Sequence, residues 1–267
     1  MLYSNQQIKQ VYESAEKPVL VECNDLNEYV CKHGRGNTPA YALFAEWICH
    51  SMLEKLNVTV APKELVTVKS EHVIPSKDCQ PAYFKNYPCF ATLFLEGALE
   101  WSQFELKNNK QVLNKRDLAI VAFCDIWFCN EDRNFNNFNL LTNPNDLGWD
   151  IIPIDHAACF NSLSFEPSRG LYLINEDDSL ISTPEFRKLV KPVLKNLKAA
   201  FDFAESLYIS IPDLEKAYDE QVLAIPPEWN IPANYVAALK ENLFHKDWLN
   251  ETKKQFLSFI KSSLNLK

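Results

Sequence analysis

The stretch Asn130-Glu-Asp-Arg-Asn-Phe-Asn-Asn-Phe-Asn139 decides how this chain is read. It is the densest polar cluster in the sequence, set between an apolar run from Asp117 to Cys129 and the short apolar pair Leu140-Leu141. Taken alone, so many asparagines describe a capped, solvated loop, because Asn side chains bond to nearby backbone and favour turns. The spacing says more. Asp132 and Asn137 stand five residues apart, and a second apolar segment, Trp149 to Ile154, runs into Asp155-His156. Phosphoryl transfer requires a carboxylate that orients the attacking hydroxyl and accepts its proton. It also requires an Asn oxygen and a second carboxylate to hold the magnesium that bridges the phosphates. An Asp-x4-Asn loop followed by Asp at a strand end places all three oxygens at one cleft.

Immediately upstream, Leu118, Ile120, Val121, Phe123, Ile126, Trp127 and Phe128 leave almost no polar side, which predicts a helix buried all round. Further back, Val19-Leu-Val-Glu-Cys23 and Glu28-Tyr-Val-Cys-Lys32 flank the polar turn Asn24 to Asn27, the pattern of a β-hairpin. Gly34-Arg-Gly36-Asn37 leads to Thr38 as N-cap and Pro39 at the first helical position. Tyr41, Phe44, Ala45, Ile48, Met52, Leu53 and Leu56 then recur at helical spacing, with Glu46 beside that apolar stripe. Strands are expected at Glu64 to Lys69, Ala82 to Lys85 and Cys89 to Leu95, with Phe90 and Phe94 facing a core.

Downstream the character is helical. Ser182-Thr-Pro-Glu185 reads as a capping box before Phe186, Leu189, Val190, Val193 and Leu194, with Pro192 bending that helix or ending its first segment. Two more helical stretches are expected, about Asp213 to Ala224 and Pro232 to Leu264.

The composition narrows the function classes. A formal charge of −8, from 35 acidic against 27 basic residues, disfavours nucleic-acid binding on average. The basic stretch Arg187 to Lys198 reads as a solvated helix face. Eight cysteines form no C-x-x-C pair and most are expected to be buried thiols, so a reducing cytoplasm is the simplest compartment. The amino terminus lacks a signal-peptide pattern, and no run of about 18 apolar residues appears, so no membrane partner is expected. The histidines never form H-x3-H or H-E-x-x-H, and no G-x-S-x-G elbow exists, which disfavours zinc and serine-hydrolase chemistry.

Asn130-x-Asp132-Arg133-x3-Asn137-x-Asn139-Leu140-Leu141, followed by Ile154-Asp155-His156, resembles the catalytic and metal-binding motifs of the HipA-like kinases, especially their short members. The phosphatidylinositol kinases use similar logic, with a histidine where this chain has Asn134. The amino-terminal third agrees. Glu28 to Lys32, a helix carrying Glu46, and Leu56-Asn-Val-Thr-Val-Ala-Pro62 resemble that family's strand lysine, paired helix glutamate and Pro-terminated segment.

The resemblance implies ATP and Mg2+ as cofactors, Asp132 as catalytic residue, Asn137 and Asp155 as metal ligands, and Lys32, positioned by Glu46, on the nucleotide phosphates. No G-x-G-x-x-G precedes Lys32. Gly34-x-Gly36 either offers backbone N–H groups to phosphate or simply eases a strand-to-helix turn. By the same resemblance the adenine docks on backbone at Leu95-Glu96-Gly97.

The expected fold is α+β and bilobal, protein-kinase-like, with a small, mainly antiparallel β lobe carrying one helix (residues 1–97) and a larger helical lobe (98–267), Mg-ATP lying between them. The expected reaction transfers the γ-phosphoryl group to a hydroxyl, foremost Ser or Thr of a protein, since HipA-like enzymes include protein-targeting toxins. An antitoxin-like protein partner is implied, without direct nucleic-acid binding by this chain. Two other readings stay open: a pseudokinase or binding scaffold, and a kinase of a small-molecule or lipid acceptor.

Overall fold

A computed structural model of the protein describes residues 2–85, 87–101 and 111–266. The chain divides into two compact units, one made of residues 1–47, 61–96 and 224–232, the other of 48–60, 97–223 and 233–267.

The first unit is built on a sheet in the order β1-β5-β6-β4-β3-β2. Its strands are β1 (Leu2–Tyr3), β2 (Gln10–Val11), β3 (Val19–Glu22), β4 (Glu28–Lys32), β5 (Lys63–Thr67) and β6 (Cys89–Leu93). Only the β1–β5 pair is parallel. The hairpin read from the sequence is β3–β4, with Leu20 opposite Val30 and Val19 opposite Cys31. Along β4 burial alternates, Tyr29 and Cys31 inward against Val21, Val66 and Phe84, while Glu28, Val30 and Lys32 take the other face. Successive side chains point to opposite faces of a strand, so one short segment both closes a core and presents a lysine.

Two local expectations change here. Ala82 to Lys85 is not a strand, because Pro81, with its fixed φ and missing N–H, opens a 3-10 turn over Pro81–Tyr83. Helix α1 runs Tyr41–Lys55 and begins two residues after Pro39. Ala40 precedes it, donating its N–H to the Trp229 carbonyl at 2.9 Å and accepting from Phe44 N–H at 3.0 Å, so Thr38 is not the cap. Trp229 is itself fully buried and donates Nε1–H to the Pro88 carbonyl at 2.7 Å.

The second unit is mainly helical, with a three-stranded sheet β7-β8-β9 formed by Leu99–Glu100, Leu140–Asn145 and Gly148–Pro153. Helix α2 (Lys115–Trp127) is its central element, and every residue from Leu118 to Trp127 is buried, as its all-round apolarity requires. Asp125 is the one charged side chain in that span. Asn114 joins the start of α2 to β9, its side-chain amide donating to the Ile151 carbonyl and accepting the Ile151 N–H, both at 2.8 Å.

Around α2 lie a short turn α3 (Cys159–Ser162), whose backbone is left-handed from Phe160 on, and the helices α4 (Pro184–Val190), α5 (Leu197–Tyr208), α6 (Ile211–Leu223), α7 (Ala233–Phe244) and α8 (Lys246–Leu264). Phe123 meets Phe256 of α8 with ring centroids 5.4 Å apart. The capping box does not form as read. Pro184 at the first helical position puts the cap on Thr183, whose Oγ1 accepts the Phe186 N–H at 3.2 Å. The last helical stretch breaks at His245, whose Nδ1 accepts the Asp247 N–H at 3.3 Å.

All eight cysteines are buried and free, and burial pushes Cys31, Cys124 and Cys129 well above an ordinary thiol. Among the described residues no helix is long and apolar enough to cross a membrane.

Candidate active site

The β8–β9 hairpin explains how residues distant in sequence converge. Leu140 at its start lies opposite Pro153 at its end, so the residues just before and just after the hairpin are neighbours. Ile154 N–H donates to the Asn139 carbonyl at 3.0 Å. The polar loop 130–139 enters the hairpin there and Asp155 leaves it at the same end.

Within the loop, one oxygen of Asp132 is doubly loaded. Oδ2 accepts the Nδ2 amides of Asn137 and Asn139, each at 2.9 Å. The Asp132 backbone N–H donates to Asn130 Oδ1 at 3.2 Å. Asn134 and Asn137 exchange backbone bonds of 2.9 and 3.2 Å, which close the turn that carries Asn137. Asn137 is exposed, whereas Asp132, Asn139 and Asp155 are half-buried. Asn139 and Asp155 both have left-handed backbone, φ 47° and 58°, a region that Asn and Asp enter more readily than most residues.

Arg133 binds this loop to the Asp155 segment. Its guanidinium is fully buried and donates to the carbonyls of Phe138 (3.4 Å), Asn139 and Ile154 (3.1 Å), while Nη2 lies 3.2 Å from His156 Nδ1. Asp125 of α2 supplies the counter-charge at 3.1 Å and also accepts the Asn130 amide at 2.9 Å. Burial pushes the Asp125 carboxyl upward, and the Arg133 charge with the Asn130 and Arg133 hydrogen bonds pulls it back without cancelling the rise. Beyond His156 the chain turns left-handed from Phe160 to Leu163, and Phe160 N–H and Asn161 N–H bond the carbonyls of Phe128 and Cys129 at 2.6 and 3.1 Å. The end of α2 thus fixes both the entry to the polar loop and the exit from the Asp155 segment.

In the first unit, Lys32 of β4 and Glu46 of α1 form an ion pair between largely buried side chains, as the resemblance implies. Glu46 is not beside an apolar stripe, because α1 is buried on every side from Leu43 to Leu53. A carboxylate there needs its partner, and Lys32 supplies one. Gly34 and Gly36 lie in the turn after β4, with Asn37 N–H bonded to the Gly34 carbonyl at 2.7 Å. A Cβ on Gly34 would stand 2.7 Å from Tyr87 Oη, so Gly34 leaves room for the Tyr87 side chain, while Gly36 at φ +76° takes a left-handed backbone that favours glycine. Leu95, Glu96 and Gly97 follow β6, the last two exposed. Phe90 is buried and Phe94 half-buried.

The structure therefore brings Asp132 together with Asn137 and Asn139, holds the two neighbours of Asp155, Ile154 and His156, on the buried Arg133 guanidinium, and pairs Lys32 with Glu46. Sequence reasoning gave no role to Asn139, Asn130, Arg133 or Asp125. The available signal was Asp125 itself, a charge in an otherwise apolar buried helix, which demands a buried partner.

A family model described as HipA-like kinase matches residues 5–256, nearly the whole chain. Among solved structures, the Helicobacter pylori proinflammatory kinase CtkA is similar over 98% of this chain and 97% of that one, at 14% identity and a TM-score of 0.53. The Golgi casein kinase with Mn and ADP bound aligns over 97% of this chain and 74% of that one at 14% identity and a TM-score of 0.49. A hydra Fam20 with sugar aligns over 94% and 87% at 15% identity and a TM-score of 0.48. At these identities the likeness to CtkA speaks to the fold, and the two lower-scoring structures add nothing to it. No curated protein matches the sequence. With the family model spanning nearly the whole chain, this chain belongs to the HipA-like kinase family and has a protein-kinase-like α+β fold.

Proposed function

We propose that this protein is an ATP-dependent kinase that transfers the γ-phosphoryl group to a Ser or Thr hydroxyl of a protein. The observation that carries the reading is the half-loaded Asp132 carboxylate. Oδ2 is occupied by two amide donors, and among the described residues Oδ1 accepts no hydrogen bond. An acceptor hydroxyl at Oδ1 would be oriented and would give up its proton there.

The donor chemistry fits magnesium. Asp155 offers a carboxylate, and Asn137, having committed its NH2 group to Asp132, keeps its carbonyl oxygen for a cation; both are hard oxygen donors. Such an ion takes one or two protein oxygens and shares the rest of its coordination with nucleotide phosphates and water. Lys32, held by Glu46, neutralises phosphate charge in this reading. Mg-ATP supplies the transferable group when bound. The protein acceptor and the antitoxin-like partner are proposed on membership of the HipA-like kinase family.

The deciding experiment is Asp132→Asn, which keeps size and some hydrogen bonding and removes the base. Mg-ATP affinity is expected near the parental value while phosphoryl transfer falls at least about a hundredfold, the usual range for a positioned acid or base. Transfer is followed with labelled ATP on the protein itself and on lysate proteins. A variant as active as the parent removes Asp132 from the mechanism. A parent that binds Mg-ATP and labels nothing refutes the kinase reading in favour of a scaffold.

A further inference from the structure

Asn137 and Asn139 make the same bond to the same atom, yet they are anchored differently. Asn137 is exposed and sits on a turn closed by backbone bonds with Asn134. Asn139 is half-buried at the mouth of the β8–β9 hairpin, and its carbonyl accepts from Ile154 N–H at 3.0 Å and from the buried Arg133 guanidinium. Its left-handed backbone turns the chain out of the polar loop and into β8. The side chain that follows this anchored peptide is the one that meets Asp132 Oδ2 at 2.9 Å.

From this asymmetry we infer that Asn139 is a positioning residue for phosphoryl transfer: it holds Asp132 Oδ2 so that Oδ1 is presented to the acceptor hydroxyl. The inference rests on the proposed kinase reading and adds a division of labour between the two amides. Asn137, assigned to the cation, would hold that ion with the opposite end of its amide. Asn139 has no second task, so Asp132 keeps a donor whose position is set by the hairpin and by Arg133. Side-chain orientation of this kind matters because a misplacement of about 1 Å in a reacting geometry lowers turnover by up to about a hundredfold.

The test must separate the amide from the backbone. Asn139→Gly removes the amide and accepts φ 47° without strain, whereas Asn139→Ala would confound the two. Asn139→Asp keeps size and left-handed tolerance but replaces the donor with a second carboxylate facing Asp132. For N139G the expected result is a fall in kcat of about tenfold to a hundredfold, with Mg-ATP affinity by calorimetry within about twofold of the parent. N139D is expected to fall further. Parental kcat in N139G overturns the inference. So does an equal loss of kcat and Mg-ATP affinity, which would put Asn139 in nucleotide or metal binding. A parent that transfers phosphate to no acceptor is a failure of the kinase reading alone. The orienting contact is then decided by crystal structures of the parent and N139G: a rotated or split Asp132 carboxylate in the variant supports it, and an unchanged one overturns it.

Discussion

The Arg133 guanidinium is buried against Asp125, Nε lying 3.1 Å from Oδ2, and this pair is the joint between the central helix α2 and the two segments that carry Asp132 and Asp155. Removing one member of a buried pair strands the other charge, which costs about 3–5 kcal/mol. Asp125→Ala is therefore expected to lower unfolding stability by that order and to abolish activity, although Asp125 is assigned no contact with substrate. Denaturant titration checks it; a loss under about 1 kcal/mol would show that Arg133 finds other compensation.

Asp155→Ala is expected to weaken Mg-ATP binding more than Asn137→Ala, because a charged oxygen holds a hard cation better than a neutral amide does. Calorimetry with the two variants side by side measures the order. Parental affinity in both would remove these residues from the metal site.

Lys32→Met is expected to reduce Mg-ATP affinity at least about tenfold, the scale of one lost charge-assisted hydrogen bond. Glu46→Gln leaves the ammonium in place and loosens only its position, so its effect is expected to be smaller. The reverse order would mean that Glu46 acts on something other than Lys32.

His33 predicts an acid limb in the stability profile. It is buried, with Nε2–H donating to the Lys17 carbonyl at 3.1 Å and its ring packed on Tyr83 and Phe84, and burial holds its pKa down to about 4 from an ordinary 6.5. The folded chain keeps the ring neutral where the unfolded chain protonates it. Stability is thus complete above about 6.5 and falls as the pH drops toward about 4, where the loss levels off at about 3 kcal/mol. Urea titrations from pH 7 to 4 are expected to show this slope in the parent and a shallower one in His33→Gln. Equal slopes would assign acid sensitivity to other groups.

Local pattern alone determined much of this protein. The β3–β4 hairpin, the all-round burial of α2 and the Asp-x4-Asn…Asp spacing are all readable because each rests on near neighbours: alternation at two residues, apolar positions around a helical turn, and a loop of fixed length. What the tertiary structure decided are the contacts whose partners lie far apart in sequence. Ala40 rather than Thr38 precedes α1 because the Trp229 carbonyl takes its N–H. Glu46 is buried because α1 is covered on every face, which a stripe in one helix does not reveal. Arg133 passes in the sequence for one polar residue among many, and only folding brings it Asp125, the carbonyls of Asn139 and Ile154, and His156. A buried charge is defined by what surrounds it, and those surroundings are assembled by the β8–β9 pairing and the end of α2 together.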